Sequence, residues 1–476
     1  MSDGLRLGIA SQTPIARVLR TPEEIEEEHG PLPDPIPLDG LVRGHDFSIT
    51  PGGVARMIHC AIEDVWTAEG VHGEWVTLTN GFSRELACGP FRLLSASLPP
   101  EAQARYGQFK EVLWEVINGL PPRIEHPFRE GGDFARQLES YSEWSAAGAQ
   151  VLNERHAAAP FDLFYINDWQ QLPQGAFLKG RPRVMHFHAP FADWTPAGWK
   201  DFVLHHLKHY ESVIVSTHQY VAALKKAGLD VPVHQVYPWI DPDDYPAPPR
   251  SDMRAFEEKF RIAPEDEVIL NVGRMDPVKG QDRLLRAMPR VLRERPNAKL
   301  VLVGNGSFSS SKKAGMGLSK GKLWRGKLEA LAKDLGIEDR VVFTGHIPHS
   351  EVVPAFHRAN VFAFPSVAEG FGLAVAEAWI ARKPAVVNVG AGISEIITDG
   401  ENGLVVDAAD ADALAGALVQ VLASPDGGRA MGEAGYRTAL EVCDVRHGGW
   451  QVLEVLEATL EERAPDLPTP QVPRRS

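Results

Sequence analysis

Cysteine is nearly absent from this chain: only Cys60, Cys88 and Cys443 occur, far apart and odd in number. They supply neither a disulfide framework nor a metal-ligand spacing, which points to a reducing compartment. Positive charge is also in deficit, with 49 Lys and Arg against 63 Asp and Glu and a net charge of -14. So acidic a chain is a poor binder of nucleic acid or anionic lipid at large, although a helix end with a few cations still suffices for one phosphate group. No apolar run approaches the ~20 residues that cross a bilayer. The start, Met1-Ser-Asp-Gly-Leu-Arg6, lacks a charged-then-apolar leader pattern. The expectation is a cytoplasmic protein with no stable membrane association and no nucleic-acid partner. Homo-oligomerisation stays open.

What is present is a repeated alternation of short apolar runs and amphipathic stretches over 476 residues, enough chain for two or three domains. Strand-like runs at Leu5–Ala10, Gly73–Leu78, Asp162–Asn167, Arg183–His188 and Ser212–Ser216 are separated by helical patterns. That is the rhythm of a parallel sheet covered by helices. Five prolines between Pro238 and Pro249 forbid both helix and central strand, and mark a boundary. A second series follows at Glu267–Val272, Lys299–Val303, Arg340–Thr344, Val361–Phe364, Pro384–Asn388 and Gly403–Val406. The expected fold class is α/β, two doubly wound Rossmann-like domains facing across a cleft. The expected domains are 1–237, 238–440 and a C-terminal segment 441–476, whose helix packs back toward the first domain and whose tail is disordered. The proline-rich stretch Pro22–Pro37 reads as an exposed loop or an acceptor-side lid.

Five constellations carry chemistry. In Asn271-Val-Gly-Arg-Met-Asp-Pro-Val-Lys-Gly280, a strand runs into Gly273, and Arg274 and Lys279 flank a turn before a helix. Backbone N–H groups and two cations there suit a diphosphate, and a plain turn with solvated cations is the alternative. In Pro365-Ser-Val-Ala-Glu-Gly-Phe-Gly-Leu-Ala-Val-Ala-Glu377, Gly370 and Gly372 permit close ligand approach. The N–H groups of Phe371, Gly372 and Leu373 point into a site, and Glu369 and Glu377 can accept hydrogen bonds from diols. A bare Glu-x7-Glu means little in so acidic a chain; the glycines between a strand and a helix give it weight. Gly390 and Gly392, before Glu395, form a third glycine-rich turn, either ligand-facing or structural. Gly52-Gly53 at a helix start leaves space for phosphate or sugar, or is a tight cap. Finally, His188 and Asp168 stand at neighbouring strand ends, where His188 could orient the sugar or stabilise charge. His186 alternates to the other side of its strand and reads as structural. The basic insert 305–322 reads equally as a cover over donor phosphates or a surface loop.

Taken together these residues resemble the retaining glycosyltransferases of family four, with the GT-B fold. Gly273-Arg274 with Lys279, Glu369 through Glu377 with Gly370-Phe-Gly-Leu373, Ile393-Ser-Glu395 through Asn402-Gly403, Gly52-Gly53-Val54 and His188 carry the resemblance. There is some likeness to trehalose-forming and compatible-solute glycosyltransferases. The resemblance implies a hexosyl donor such as a UDP-, GDP- or ADP-sugar, no required cofactor and no metal; the acidic charge and the lack of an evident basic amphipathic helix point to a soluble acceptor. It implies that Arg274 and Lys279 neutralise the leaving diphosphate, Glu369 contacts the donor sugar, Glu377 holds the ribose, and His346-Ile347 lie near the base. Departures are Ala391 where a second glycine is common, Pro-Trp-Ile-Asp241 in the linker, and the long insert. The alternatives are a sugar-nucleotide epimerase of the same shape and a non-catalytic nucleotide-sugar binder, the latter disfavoured by the complete Arg, Lys and Glu set.

Overall fold

The computed structural model describes residues 4–50, 53–78, 84–118, 134–180, 182–305 and 316–468. They divide into two compact units, one running to Tyr237 and taking in Val445–Pro468, the other Pro238–Asp444. No helix among the described residues is long and apolar enough to cross a membrane.

The first unit carries strands β1 (Arg6–Ala10), β2 (Ala16–Val18), β3 (Ile36–Pro37), β4 (Phe47–Ile49), β5 (His72–Leu78), β6 (Leu86–Cys88), β7 (Phe91–Ala96), β8 (Leu163–Asn167), β9 (Arg183–Phe187), β10 (Ser212–Val215) and β11 (Val233–Gln235). Nine of them form one sheet in the order β11-β10-β9-β8-β1-β5-β7-β6-β3. From β11 to β7 every pairing is parallel. Its central strands are buried on both faces, as β8 shows by having no exposed residue, which is why Leu163-Phe-Tyr-Ile-Asn167 does not alternate in polarity. The helix Val445–Leu460 belongs to this unit, and the Trp66 indole donates to the Gly449 carbonyl at 2.9 Å.

Between β1 and the helix Gly53–Ala61 the chain makes a long excursion through the β2–β4 ribbon. The loop expected over Pro22–Pro37 is corrected here: Pro22–His29 is an α-helix. Thr21 caps it, accepting from Glu24 N, while the Glu24 carboxylate accepts from Thr21 N at 2.8 Å. The Thr-x-x-Glu box and Pro22 in the first turn were legible helix-start signals, masked by the prolines that follow. Asp46, 0% exposed, ties the excursion down. Its carboxylate accepts from Val42 N, Arg20, His29 and His45 at 2.8, 3.0, 2.9 and 3.1 Å. Burial pushes its pKa up, but these donors outweigh that and hold it at about 2.

The second unit carries β12 (Glu267–Val272), β13 (Ala298–Val303), β14 (Val341–Gly345), β15 (Val361–Phe364), β16 (Ala385–Asn388) and β17 (Leu404–Val406). All pair in parallel, in the order β14-β13-β12-β15-β16-β17. Counted within the unit this is 3-2-1-4-5-6, the doubly wound order in which ligands bind where the winding reverses. Here that point lies between β12 and β15. The helix Gln281–Glu294 after β12 buries Leu284, Leu285, Met288 and Val291 at helical spacing against the sheet.

Candidate functional site

The loops leaving β12 and β15 are neighbours because those strands pair, and three features lock them. Val367 N donates to Val278 O at 2.7 Å. Gly280 has φ +67°, and a β-carbon there would stand 2.3 Å from the Pro365 carbonyl oxygen, so no larger residue fits. Asp276 caps the short turn Pro277–Lys279, accepting from Val278 N at 3.0 Å. The turn delivers Lys279, 9% exposed, beside Gly273 and onto Glu369, with which it forms an ion pair. The Lys279 ammonium also stands 5.8 Å from the Phe364 ring centroid. Arg274 leaves the same loop half-buried. Its carbonyl accepts from Gln281 Nε2 at 2.7 Å, and Gln281 in turn accepts from Trp324 at 3.0 Å. Gln281, the first residue of its helix, carried no signal in the sequence; its role arises from what the fold puts beside it.

The helix after β15 is Leu373–Ile380, with Gly372 at its start and no side chain capping it. Phe371 is buried and Gly370 and Gly372 sit under the loop after β16. A β-carbon on Gly392 would lie 2.5 Å from the Gly370 carbonyl, and Ile393 N donates to Phe371 O at 2.8 Å. The third glycine turn therefore packs on the second, which accounts for Gly392 structurally. It runs into a single helical turn, Gly392–Ile396. Glu377, in the middle of Leu373–Ile380, is half-buried. Burial pushes its pKa up, against a hydrogen bond from Tyr245. The structure thus pairs Glu369 with Lys279. His346 is exposed and Ile347 buried, both just past β14.

In the first unit, Asp168 and His188 follow β8 and β9. Asp168 has φ +72°, a strained conformation for a residue with a β-carbon. Two bonds over-determine it: Asp168 N donates to His186 O, and Trp169 N donates to the Asp168 carboxylate, each at 2.8 Å. Burial raises its pKa to about 6, outweighing the hydrogen bonds from Trp169 N and the Gln170 side chain. His188 Nε2 lies 3.4 Å from Asn167 Oδ1, and its ring centroid is 3.9 Å from that of His186. Burial lowers the His188 pKa to about 3, so it is a neutral imidazole at pH 7. The expectation that His186 turns to the other side of the strand is corrected here: positions two apart share a face, so its buried ring lies against that of His188, with Nδ1 2.6 Å from the Tyr165 hydroxyl. Gly53, φ +67°, opens the helix Gly53–Ala61. Gly52 and most of the 305–322 insert lie outside the described residues, although its end forms part of the helix Met316–Asp334.

Residues 252–438 match the model of the glycosyl transferases group 1 family. A GDP-mannose-dependent alpha-(1-6)-phosphatidylinositol monomannoside mannosyltransferase of Mycolicibacterium smegmatis is 32% identical over 244 residues, 50% of this chain and 59% of that protein. A D-inositol 3-phosphate glycosyltransferase of Segniliparus rotundus is 32% identical over 188 residues, 40% of this chain and 39% of that one. The chain thus spans about half the length of such curated relatives. Among solved structures, a trehalose-6-phosphate synthase superposes with a TM-score of 0.72 at 16% identity, covering 97% of this chain and 100% of the other. The sucrose-phosphate synthase of Thermosynechococcus elongatus gives a TM-score of 0.66 at 19% identity, covering 96% and 100%. Those two likenesses are of fold. Residues 252–438 are therefore similar to the glycosyl transferases group 1 family, and the fold is GT-B.

Proposed function

We propose that the protein is a retaining hexosyltransferase that moves a sugar from a nucleoside diphosphate to a soluble hydroxyl acceptor in the cytoplasm. The observation that carries the reading is the Lys279–Glu369 ion pair at the ends of β12 and β15. A buried cation matched by a single carboxylate, beside the start of the helix Leu373–Ile380, suits a departing diphosphate. Residues 238–440 take the donor, and residues 1–237 the acceptor. Lys279 and Arg274 neutralise the diphosphate as the anomeric C–O bond breaks and the phosphate oxygen keeps the electron pair. Glu369 accepts from donor sugar hydroxyls, with N–H groups of Phe371, Gly372 and Leu373 nearby. Glu377 takes the ribose diol, and His346 and Ile347 flank the base. The acceptor hydroxyl forms the new bond on the same face and gives its proton to the leaving phosphate oxygen, so no protein nucleophile and no metal enter the step. Neutral His188 donates a hydrogen bond to the sugar, and Asp168 and Gly53 border the same side.

Relatives named for GDP-mannose and for inositol-bearing acceptors favour, as a second reading, transfer to an inositol carried on a lipid. The test is turnover of UDP-, GDP- and ADP-hexoses with sugar phosphates, inositols and phosphatidylinositol vesicles as acceptors. Lys279→Met and Glu369→Gln keep side-chain volume and should each lower kcat/KM by about a thousandfold with cooperative melting retained. Wild-type turnover in both variants would overturn the reading, and product formed without acceptor would make the protein an epimerase.

A further inference from the structure

β12 and β13 each run into a glycine, Gly273 and Gly304, and β14 ends on one, Gly345. The three strand ends are laced side by side: Gly273 N donates to Val303 O, and Gly304 N donates to Gly345 O, each at 3.0 Å. A β-carbon on Gly304, φ +134°, would stand 2.0 Å from the Gly273 carbonyl oxygen, and Gly345 has φ +72°. At these three positions the sheet edge is a ledge of bare backbone. It runs from the loop of Arg274 and Lys279 to His346-Ile347.

Arg325, on the helix Met316–Asp334, borders the far end of that ledge. Its Nη1 is 3.7 Å from the place a β-carbon on Gly345 would take. Its guanidinium carbon lies 5.5 Å from the Phe343 ring centroid, and its Nε donates to Glu329 Oε1 at 2.7 Å. The residue before it, Trp324, donates to Gln281, the first residue of the helix that follows the Lys279 turn, at 3.0 Å. This level of the helix Met316–Asp334 therefore stands beside the strand ends, and not lower along the sheet. The Arg325 side chain is 40% exposed there.

We propose that Arg325 reads the base of the donor nucleotide and selects guanine. This rests on the reading of the β12–β15 site as a nucleoside diphosphate site with the base beside His346-Ile347. With Nε spent on Glu329, the remaining guanidinium donors sit on Nη1 and Nη2. Guanine places two acceptors, O6 and N7, side by side on one edge, and a guanidinium meets both at once. Adenine sets an amino donor beside N7, and uracil flanks each carbonyl with an N–H, so neither takes the pair. The Phe343 ring and the Glu329 carboxylate fix the fork, and rigid partners keep a binding group in its productive geometry.

The experiment is equilibrium binding of GDP, UDP, ADP and inosine diphosphate, which keeps O6 and N7, to the full chain. The proteins are wild type, Arg325→Lys, Arg325→Met and Lys279→Met, each checked for cooperative melting. Wild type should bind GDP and inosine diphosphate at least about tenfold more tightly than UDP or ADP. Both Arg325 variants should weaken those two ligands about thirtyfold and leave UDP and ADP within about twofold of wild type. Lysine should not rescue, because a point charge cannot form the fork. Equal weakening of all four ligands would mean that Arg325 meets phosphate, and would overturn the proposal. So would a wild-type preference for UDP or ADP, or unchanged GDP binding in the Arg325 variants. If Lys279→Met loses every diphosphate in those cases, the nucleotide-site reading stands without the proposal. If wild type binds none of the four, or Lys279→Met binds them all as wild type does, that reading fails and the proposal with it.

Discussion

The two units build their strand-end sites from different materials. In the second, backbone does the shaping: Gly280 against Pro365 and Gly392 against Gly370 bring three loops into contact, and one ion pair, Lys279–Glu369, lies among them. In the first, side chains do it: Tyr165, His186, His188 and Asp168 crowd the ends of β8 and β9, and burial shifts the titration of each. A backbone site is rigid and is damaged by adding atoms. A site of buried titratable groups stores electrostatic cost and is altered by removing charge.

That contrast can be broken or sharpened by substitution. The largest effect should come from Gly280→Ala. It forces a β-carbon into the left-handed region and onto the Pro365 carbonyl, costing about 3 kcal/mol of stability from strain and overpacking together. Thermal unfolding at pH 7 checks it, and an unchanged melting temperature would show that the loops yield. Next comes Asp168→Asn. The folded pKa of about 6 lies above the ordinary carboxylate value, so the native state binds this proton more tightly than the unfolded chain. Its contribution is present below about pH 4 and is lost as pH rises through about 6. The Asn variant should be more stable than wild type by on the order of 2 kcal/mol at pH 7.5, and equal to it at pH 4. Denaturant melts across that range read the difference, and a constant offset would remove charge burial as the cause. The smallest effect concerns His188. With its pKa near 3, it carries no charge between pH 5 and 8. His188→Gln should lower transfer without moving either limb of the pH–rate profile. A displaced limb would mean that His188 titrates in the working range.

Legibility in the sequence followed the same division. The turn Gly273–Lys279 and the run Glu369–Glu377 were readable because glycine and proline punctuate the chain and their spacing is local. The strand at Val361–Phe364 was read to the residue, because a four-residue apolar run bounded by breakers leaves little freedom. The helix Pro22–His29 was missed although Thr21 and Glu24 spell its cap, since flanking prolines suggested a loop. His188 and Asp168 could be placed at strand ends, but whether they are charged depends on burial, which no spacing reveals.

By itself, then, the sequence determined the alternation of strands and helices, the break at Pro238–Pro249 and the local turns that carry Arg274, Lys279 and Glu369. These depend on side-chain periodicity and on dihedral limits within a few residues. Only the tertiary structure decided the 3-2-1-4-5-6 order that sets β12 beside β15, the pairing of Lys279 with Glu369, and the neutral state of His188. Each depends on groups far apart in the chain being brought together and removed from water, and the free energy of a charge or a contact is set by those neighbours.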